Sequence, residues 1–141
     1  MKYLSTLGNI FMILDEKKGP SHGRIIKLLT DLGPYFRRLN STESSYFFDC
    51  LEICLDDQKE PEEREFLGWW MIVTKNEDSF DYERFNGRYN LAGNWESVTI
   101  HQKDLQQLDH SFALFRVRLE KLIEAETALP LNALQVIYNE V

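Results

Sequence analysis

The sequence predicts an α+β fold in which N-terminal helices and a long C-terminal helix pack on a four-stranded antiparallel meander. Apolar residues recur at helical spacing before residue 57 and again after residue 103. Between these regions the chain is rich in aromatic and β-branched residues and in turn signals. Helices followed by consecutive strands and a final helix favour an antiparallel sheet with helices packed on one face.

Length and composition set the broad class of the protein. The chain has 141 residues, of which 43% are hydrophobic and 13% aromatic. This is enough to bury one core, so we predict a single domain over residues 1–141. Its apolar runs fall far short of the roughly 20 residues that a membrane helix needs, and its start lacks the small-residue cleavage site of a signal peptide. We therefore expect a cytoplasmic protein without a membrane partner.

The first part of the chain predicts two helices. Residues 3–14 keep a 3.6-residue apolar rhythm, although Gly8 leaves a short strand over residues 9–14 as an alternative. Ser21 is a suitable N-cap for a second helix, which Gly33 and Pro34 terminate. Residues 35–39 are expected to form a further turn.

The two cysteines lie in a predicted third helix over residues 42–57. Cys50 and Cys54 are one helical turn apart, so the helix would place both thiols on its core-facing side. Buried structural thiols are the favoured interpretation, because free cysteine behaves as a small hydrophobe. A redox pair is the alternative, but the spacing is not C-x-x-C, and a structural zinc site would require a second pair of ligands.

Residues 66–74 predict a strand that is apolar on both faces. It is therefore either covered on both sides or has one face that is kept for a partner, and Trp69 and Trp70 must point to opposite sides. Residues 80–85 and 88–91 flank Asn86 and Gly87, the dipeptide most typical of a two-residue hairpin turn. A strand over residues 95–101 completes the predicted meander.

The C-terminal part predicts the longest helix, over residues 103–126, with a regular apolar side. Pro130 then restarts the chain. Residues 131–138 can form a short terminal helix, although residues 135–138 could instead add an edge strand.

Negative charge is concentrated in one segment. Residues 56–83 carry ten of the 23 carboxylates and only three Lys or Arg, which gives −7, equal to the net charge of the whole chain. Carboxylates beside large aromatics are typical of surfaces that bind a basic protein, although a solvated connection would show the same charge run. The predicted partner-binding residues are Asp57, Glu60, Glu62, Glu63, Glu65, Trp69, Glu77, Asp78, Asp81, Tyr82 and Glu83.

The sequence contains no pattern that indicates a reaction. Phosphate-binding glycine motifs and a nucleophile elbow are absent, and His22, His101 and His110 have no neighbours at metal-ligand spacing. We therefore predict no catalytic residue, no metal site and no cofactor. A pI near 5 also argues against binding to nucleic acid.

Two segments, Leu67-Gly68-Trp69-Trp70 and residues 86–95, resemble strand and hairpin segments of bacterial immunity proteins of the contact-dependent growth-inhibition type. The resemblance implies a cognate toxin, often a basic nuclease, whose active cleft or an adjacent surface is covered by acidic side chains. Two other classes stay open. One is an adaptor or chaperone-like subunit that binds another basic protein, and the other is a small enzyme that uses carboxylates.

Overall fold

The computed structural model describes residues 19–134. Along the chain, helix α1 is followed by three long strands, a short strand, the long helix α2 and a last short strand. Their bounds are α1 His22–Leu32, β1 Ser45–Cys54, β2 Phe66–Lys75, β3 Phe80–Tyr89, β4 Trp95–Glu96, α2 Gln102–Thr127 and β5 Leu131–Ala133. Single turns of 3₁₀ helix occur at Arg38–Asn40 and Pro61–Glu63.

The two helices form where the sequence predicts them. The Ser21 hydroxyl caps α1 by accepting a hydrogen bond from the Arg24 backbone N–H at 3.2 Å. Helix α2 ends at Ala128, whose left-handed backbone (φ 61°) lets its N–H donate to the Glu124 carbonyl. Within residues 19–134, neither helix is long and apolar enough to cross a bilayer.

The sheet has the order β1-β2-β3-β4, with antiparallel neighbours, and β5 pairs in parallel with β3. This confirms the α+β class, a sheet of several strands and the long C-terminal helix, but the sheet within the described residues has five strands rather than the predicted four, because β5 adds a parallel strand. Several predicted elements within it are wrong, however. The helix predicted over residues 3–14 lies outside the described residues, as do residues 135–138.

The predicted third helix over residues 42–57 is in fact strand β1. Tyr46, Phe47 and Phe48 are three consecutive aromatics, which strands favour, and β1 pairs with β2 along its whole length. The helical spacing of the apolar residues was misleading, because both faces of this strand carry apolar side chains. A strand of this kind matches several periodicities at once.

The prediction that both cysteine sulfurs share one face is also wrong. The register between β1 and β2 shifts between Leu51 and Ile53, which marks a β-bulge. As a result, Cys50 pairs with Trp69 and is buried, whereas Cys54 pairs with Phe66 on the opposite face and is only half-buried. Both thiols are free.

The predicted turn at Asn86 and Gly87 is absent, since β3 runs unbroken through both residues and they pair with Trp69 and Gly68. Gly87 permits the close approach of neighbouring backbone atoms rather than forming a turn. The strand predicted over residues 95–101 is only two residues long, because the chain leaves β3 after Glu96 to begin α2.

One face of the sheet, the inner face, is covered by both helices. Its side chains alternate along β1 and β2 and have almost no exposed surface, while α2 contributes Leu108, Phe112, Phe115, Leu119 and Ile123 and α1 contributes Ile25, Ile26 and Leu29. The inner-face residues are Tyr46, Phe48, Cys50, Trp69, Met71, Val73 and Phe80. These residues form one core, and a single domain over the full 1–141 stays a prediction.

Candidate partner-binding surface

The opposite side of the sheet, the outer face, carries a second set of large apolar side chains. None of the residues in the core cluster of the described chain lies on it, so both described helices pack on the inner face. The aromatic side chains of the outer face are half-buried. We use the name outer aromatic face for Phe47, Asp49, Trp70, Phe85, Tyr89 and Trp95.

The aromatic rings of this face stack across three strands. Trp70 on β2 lies 5.3 Å from Phe85 on β3 and 4.9 Å from Trp95 on β4, measured between ring centroids. Tyr89 meets Trp95 edge-on at 5.3 Å. Such offset and edge-on pairs stabilise one another, so the rings present a single ordered apolar surface.

A pair of glycines gives the indoles room to lie on the sheet. Gly68 and Gly87 pair directly across β2 and β3. A Cβ on Gly68 would overlap the Cys50 carbonyl oxygen and come within 2.9 Å of the Trp95 ring. On Gly87 it would overlap the Glu96 carbonyl oxygen and come within 3.0 Å of the Trp70 ring. The glycines therefore permit the close approach of backbone and aromatic rings.

Asp49 holds two neighbouring side chains of the outer face in place through hydrogen bonds. It is the one charged residue among the buried residues of the described chain, with 6% of its surface exposed. Its carboxylate accepts a hydrogen bond from Arg37 Nε at 2.6 Å and another from the Trp95 indole N–H at 2.9 Å. Arg37 also donates to the Pro34 carbonyl at 2.8 Å. One carboxylate therefore fixes both an indole and the segment that borders β1.

Trp95 is also held at its own strand. Strand β4 has only two residues, and the adjoining Glu96 forms an ion pair with Arg88 of β3 at 2.8 Å. The hydrogen bond from Arg88 holds the pKa of the Glu96 carboxyl below its usual value. This pair fixes the short strand from which the indole extends across β2 to Asp49.

A shallow pocket of about 310 Å³ adjoins the anchor. It is bounded on one side by the segment before β1 and on the other by the turn that precedes β4. Its lining residues are Arg37, Asn40, Phe47, Asp49, Tyr89, Gly93, Asn94 and Trp95. The lining combines the aromatic rings of Phe47, Tyr89 and Trp95 with the charged side chains of Arg37 and Asp49, a combination suited to receiving a side chain of a protein partner.

The predicted acidic residues do not come together. Asp57, Glu60, Glu62 and Glu63 lie in the β1–β2 connection, whereas Glu77 and Asp78 lie in the β2–β3 turn. Strand β2 has 10 residues, so at about 3.3 Å per residue the two groups are roughly 30 Å apart. The two groups therefore lie at opposite ends of β2 and do not form one acidic surface.

Three further predicted residues make contacts that stabilise the fold. Trp69 has no exposed surface, and its indole N–H donates to the Ser111 hydroxyl at 3.2 Å. Tyr82 also faces inward, 5.8 Å from the Phe112 ring. Asp81 accepts hydrogen bonds from Asn76 and Ser79 and so stabilises the β2–β3 turn. The expectation that Trp69 and Trp70 point to opposite sides of the sheet is confirmed, since Trp69 is buried in the core and Trp70 is half-buried on the outer face.

Glu65 and Glu83 lie closer to the outer face. Glu65 accepts a hydrogen bond from the Leu91 backbone N–H at 3.1 Å, beside Tyr89, and Glu83 pairs with Ile72 on the outer side of the sheet. Sequence reasoning missed Arg37, Asp49 and Trp95. The available signal was the acid that directly follows the three aromatics at residues 46–48, which a strand assignment paired with β2 could have placed beside Trp70.

The chemistry available to the described residues is limited. Burial raises the pKa of the Cys50 thiol to about 11, which keeps it protonated at neutral pH. Across residues 19–134, no group of three or more His, Cys, Asp or Glu side chains is placed to hold a metal ion. The arrangement of the outer aromatic face is thus one suited to contact with a partner.

Comparison with known proteins identifies the family. The family model described as sigma factor-binding transcriptional regulator Crl matches residues 12–140. The sigma factor-binding protein Crl of Photobacterium profundum is 41% identical over 114 residues, which cover 81% of this chain and 86% of that protein. Its namesake in Vibrio vulnificus is 39% identical over 105 residues, covering 74% and 81% respectively.

These matches overturn the resemblance to immunity proteins. The short segments that suggested it, residues 67–70 and 86–95, are strands β2 and β3 with the turn that follows, and neither carries a diagnostic motif. A toxin as partner and toxin neutralisation as function are therefore wrong. The alternative of an adaptor that binds another protein is nearer to what the relatives' names describe. This chain belongs to the Crl family of sigma factor-binding transcriptional regulators.

Proposed function

We propose that this chain binds a sigma factor through its outer aromatic face and regulates transcription in the cytoplasm by that contact, without catalysis. Its relatives in Photobacterium and Vibrio carry the name sigma factor-binding protein. The family model that matches residues 12–140 is described as a transcriptional regulator. The contact is with protein rather than nucleic acid, since a chain with a net charge of −7 repels phosphates.

The observation that carries the proposal is the ordered aromatic stack around Trp70. Tryptophan and tyrosine supply much of the binding energy at protein interfaces, particularly at the centre of a patch that excludes water. Here the rings are already fixed by stacking, by Asp49 and by the short strand β4. A surface that is ordered before binding loses less conformational entropy on association.

The predicted acidic residues have a secondary place in this proposal. Glu83 lies on the outer side of the sheet, and the two acidic groups at the ends of β2 lie beyond the stack. Exposed carboxylates of this kind speed association with a basic surface more than they strengthen the final complex. Their contribution is therefore expected in the association rate at low salt.

A calorimetric titration of purified sigma factors from the source organism tests the proposal. We expect Trp70→Ala to weaken binding to one of them by about 2 kcal/mol, roughly 30-fold, because truncating a central aromatic anchor has such effects. Leu114→Ala is the matched control. Leu114 is an apolar residue of α2 with 59% of its surface exposed, on the far side of the helical layer.

Two results would contradict the proposal. One is that the unaltered chain binds none of the sigma factors. The other is that Trp70→Ala and Leu114→Ala have equal effects on the affinity, since the outer face would then be no more important than any exposed apolar residue.

A further inference from the structure

The turn before β1 displays one leucine to solvent. Leu39 lies in the single 3₁₀ turn Arg38–Asn40 and has 100% of its surface exposed. The other large hydrophobic side chains exposed in the described residues reach at most 59%. Single exposed leucines are common on protein surfaces, so exposure alone does not indicate a site. What distinguishes Leu39 is its place in the fold.

The turn is attached to the sheet beside the outer aromatic face. A backbone hydrogen bond from the Arg37 N–H to the Phe47 carbonyl, 2.8 Å long, joins the segment before the turn to β1. Asn40, the last residue of the turn, lines the same pocket as Phe47 and Trp95. Leu39 directly precedes Asn40, so it lies at the border of the proposed binding surface.

Hydrogen bonds hold the turn in one conformation. The Asn40 N–H donates to the Arg37 carbonyl at 3.1 Å, and the Ser41 N–H donates to the Arg38 carbonyl at 3.0 Å. The Ser41 hydroxyl also donates to the Arg37 carbonyl at 2.8 Å and accepts from the Phe47 N–H at 2.9 Å. The backbone of the turn is therefore ordered, and burying its exposed leucine against a partner costs little backbone entropy.

The exposed charge at this turn is positive on balance, although the chain as a whole carries −7. Residues 35–44 contain two arginines, Arg37 and Arg38, and one acid, Glu43. Arg38 and Glu43 are both exposed. Arg37 has 39% of its side chain exposed, whereas Asp49, with which it pairs, has only 8%. A partner that approaches the turn therefore meets guanidinium groups beside an apolar side chain.

We propose that Leu39 and Arg38 form a second contact element for the sigma factor, next to the outer aromatic face. The inference rests on the proposed function. Leu39 enters an apolar cleft of the sigma factor, and Arg38 pairs with a carboxylate at the rim of that cleft, because a guanidinium matches the geometry of a carboxylate. The surface of the partner that fits the turn is thus apolar with an acidic rim.

Calorimetric titration of the full chain with the purified sigma factors tests the leucine. We expect Leu39→Ala to weaken binding about tenfold, because burial of a leucine at an interface contributes on that order. Leu114→Ala removes the same atoms from the exposed side of α2 and should leave the affinity unchanged. Because Leu39 is fully exposed in the free chain, its truncation should not shift the midpoint of thermal unfolding. Weaker binding then reflects the contact and not a loss of fold.

The arginine has its own test. Arg38→Glu should weaken binding about tenfold at low salt, and the effect should shrink as the salt concentration rises, since ions screen exposed charges. Lys121→Glu makes the same change of charge at an exposed position of α2 and is the matched control. Equal effects of the two variants, or tighter binding by Arg38→Glu, would refute the acidic rim.

Trp70→Ala separates this inference from the proposed function. If Trp70→Ala weakens binding and Leu39→Ala does not, the second contact element is refuted and the proposed function stands. If Leu39→Ala weakens binding and Trp70→Ala does not, the turn binds the sigma factor and the outer aromatic face is refuted. If neither variant changes the affinity, or if the unaltered chain binds none of the sigma factors, both proposals fail.

Discussion

The two faces of the sheet are built from the same strands and are about equally rich in aromatics, yet they differ in what covers them. On the inner face, Tyr46, Phe48 and Trp69 lie beneath α1 and α2 and have at most 1% of their surface exposed. On the outer face, Phe47, Trp70 and Phe85 are only half-buried, and the rings of Trp70 and Phe85 stack on each other. Apolar character on both sides of a strand therefore does not show that both sides are core.

The difference also appears in how each face is ordered. The inner face is fixed mainly by packing of aliphatic and aromatic side chains, and hydrogen bonds such as that from the Trp69 indole N–H to the Ser111 hydroxyl are few. The outer face depends on directional contacts, namely the ring stacks and the carboxylate of Asp49. Directional contacts can hold a half-exposed surface in one conformation without burying it, and a binding surface needs that property.

The largest expected effect separates the two adjacent tryptophans. Trp69→Ala should lower the free energy of unfolding by roughly 3–5 kcal/mol, because it leaves a cavity among Phe112, Phe115 and Tyr35. Trp70→Ala should lower it by only about 1 kcal/mol, since it removes ring stacks at a half-exposed site. Urea denaturation of both variants measures the difference. Equal losses would mean that the outer face is as much a part of the core as the inner one.

The next effect concerns the buried carboxylate. Asp49→Ala leaves Arg37 and the Trp95 indole N–H without their acceptor, so we expect the free energy of unfolding to fall by about 2 kcal/mol. The surface pair of Arg116 and Glu120, 2.9 Å apart on α2, is the control. Glu120→Ala should cost at most about 0.5 kcal/mol. Similar values for the two variants in thermal unfolding would refute the anchoring role of Asp49.

A third comparison uses two glycine-to-alanine substitutions that should change the stability of the protein in opposite directions. Gly87→Ala should destabilise the protein by roughly 1–3 kcal/mol, because its Cβ would overlap the Glu96 carbonyl oxygen and press on the Trp70 ring. Gly23→Ala should stabilise it by about 0.5–1 kcal/mol, because Gly23 lies within α1 and no atom is within 4 Å of the added Cβ. Chemical denaturation of both variants should show this change of sign, and a neutral Gly87→Ala would contradict the close packing of ring on backbone.

The smallest effect is chemical and involves the cysteines on the two faces. With its pKa raised to about 11, the Cys50 thiol is ionised at pH 8 only to the order of one part in a thousand. Cys54 is half-buried on the outer side, so a thiol reagent should label it first. Mass spectrometry of the partially labelled native protein identifies the site. Labelling of Cys50 should accelerate in denaturant or as the pH approaches 11. Equal labelling rates for Cys50 and Cys54 in the native protein would contradict the β-bulge, which places the two thiols on opposite faces of the sheet.

The sequence was sufficient for α1, for α2 and for the fold class. Ser21, Gly33 and the long apolar side of α2 are local signals, and the structure contains the helices that they predict. Strand β1 could not be recognised in the same way, because its two apolar faces mimic helical spacing. The pair Asn86-Gly87 predicts a turn, whereas the structure requires glycine at position 87 because the Glu96 carbonyl and the Trp70 ring lie close to its Cα. Such a contact exists only once the strands are paired.

The same limit applies to the candidate surface. Charge is visible in a sequence, so the acidic segment was found, but its two halves lie at opposite ends of a hairpin. Asp49, Arg37 and Trp95 come from three separate parts of the chain, and the register of the sheet brings them together. Only the prediction that Trp69 and Trp70 point to opposite sides of the sheet followed from the alternation of a strand.

Hydroxyl-radical footprinting of the chain, alone and mixed with the sigma factor of the proposed contact, tests the central claim most directly, because it reports which side chains lose contact with water. We predict that oxidation of Trp70, Phe85, Tyr89 and Trp95 falls on binding, that buried Trp69 is unreactive in both states, and that Leu114 and Val117 on the outside of α2 are unaffected. Protection of Leu114 and Val117 without protection of Trp70 and Trp95 would place the partner on the helical side and contradict the outer aromatic face as the binding surface.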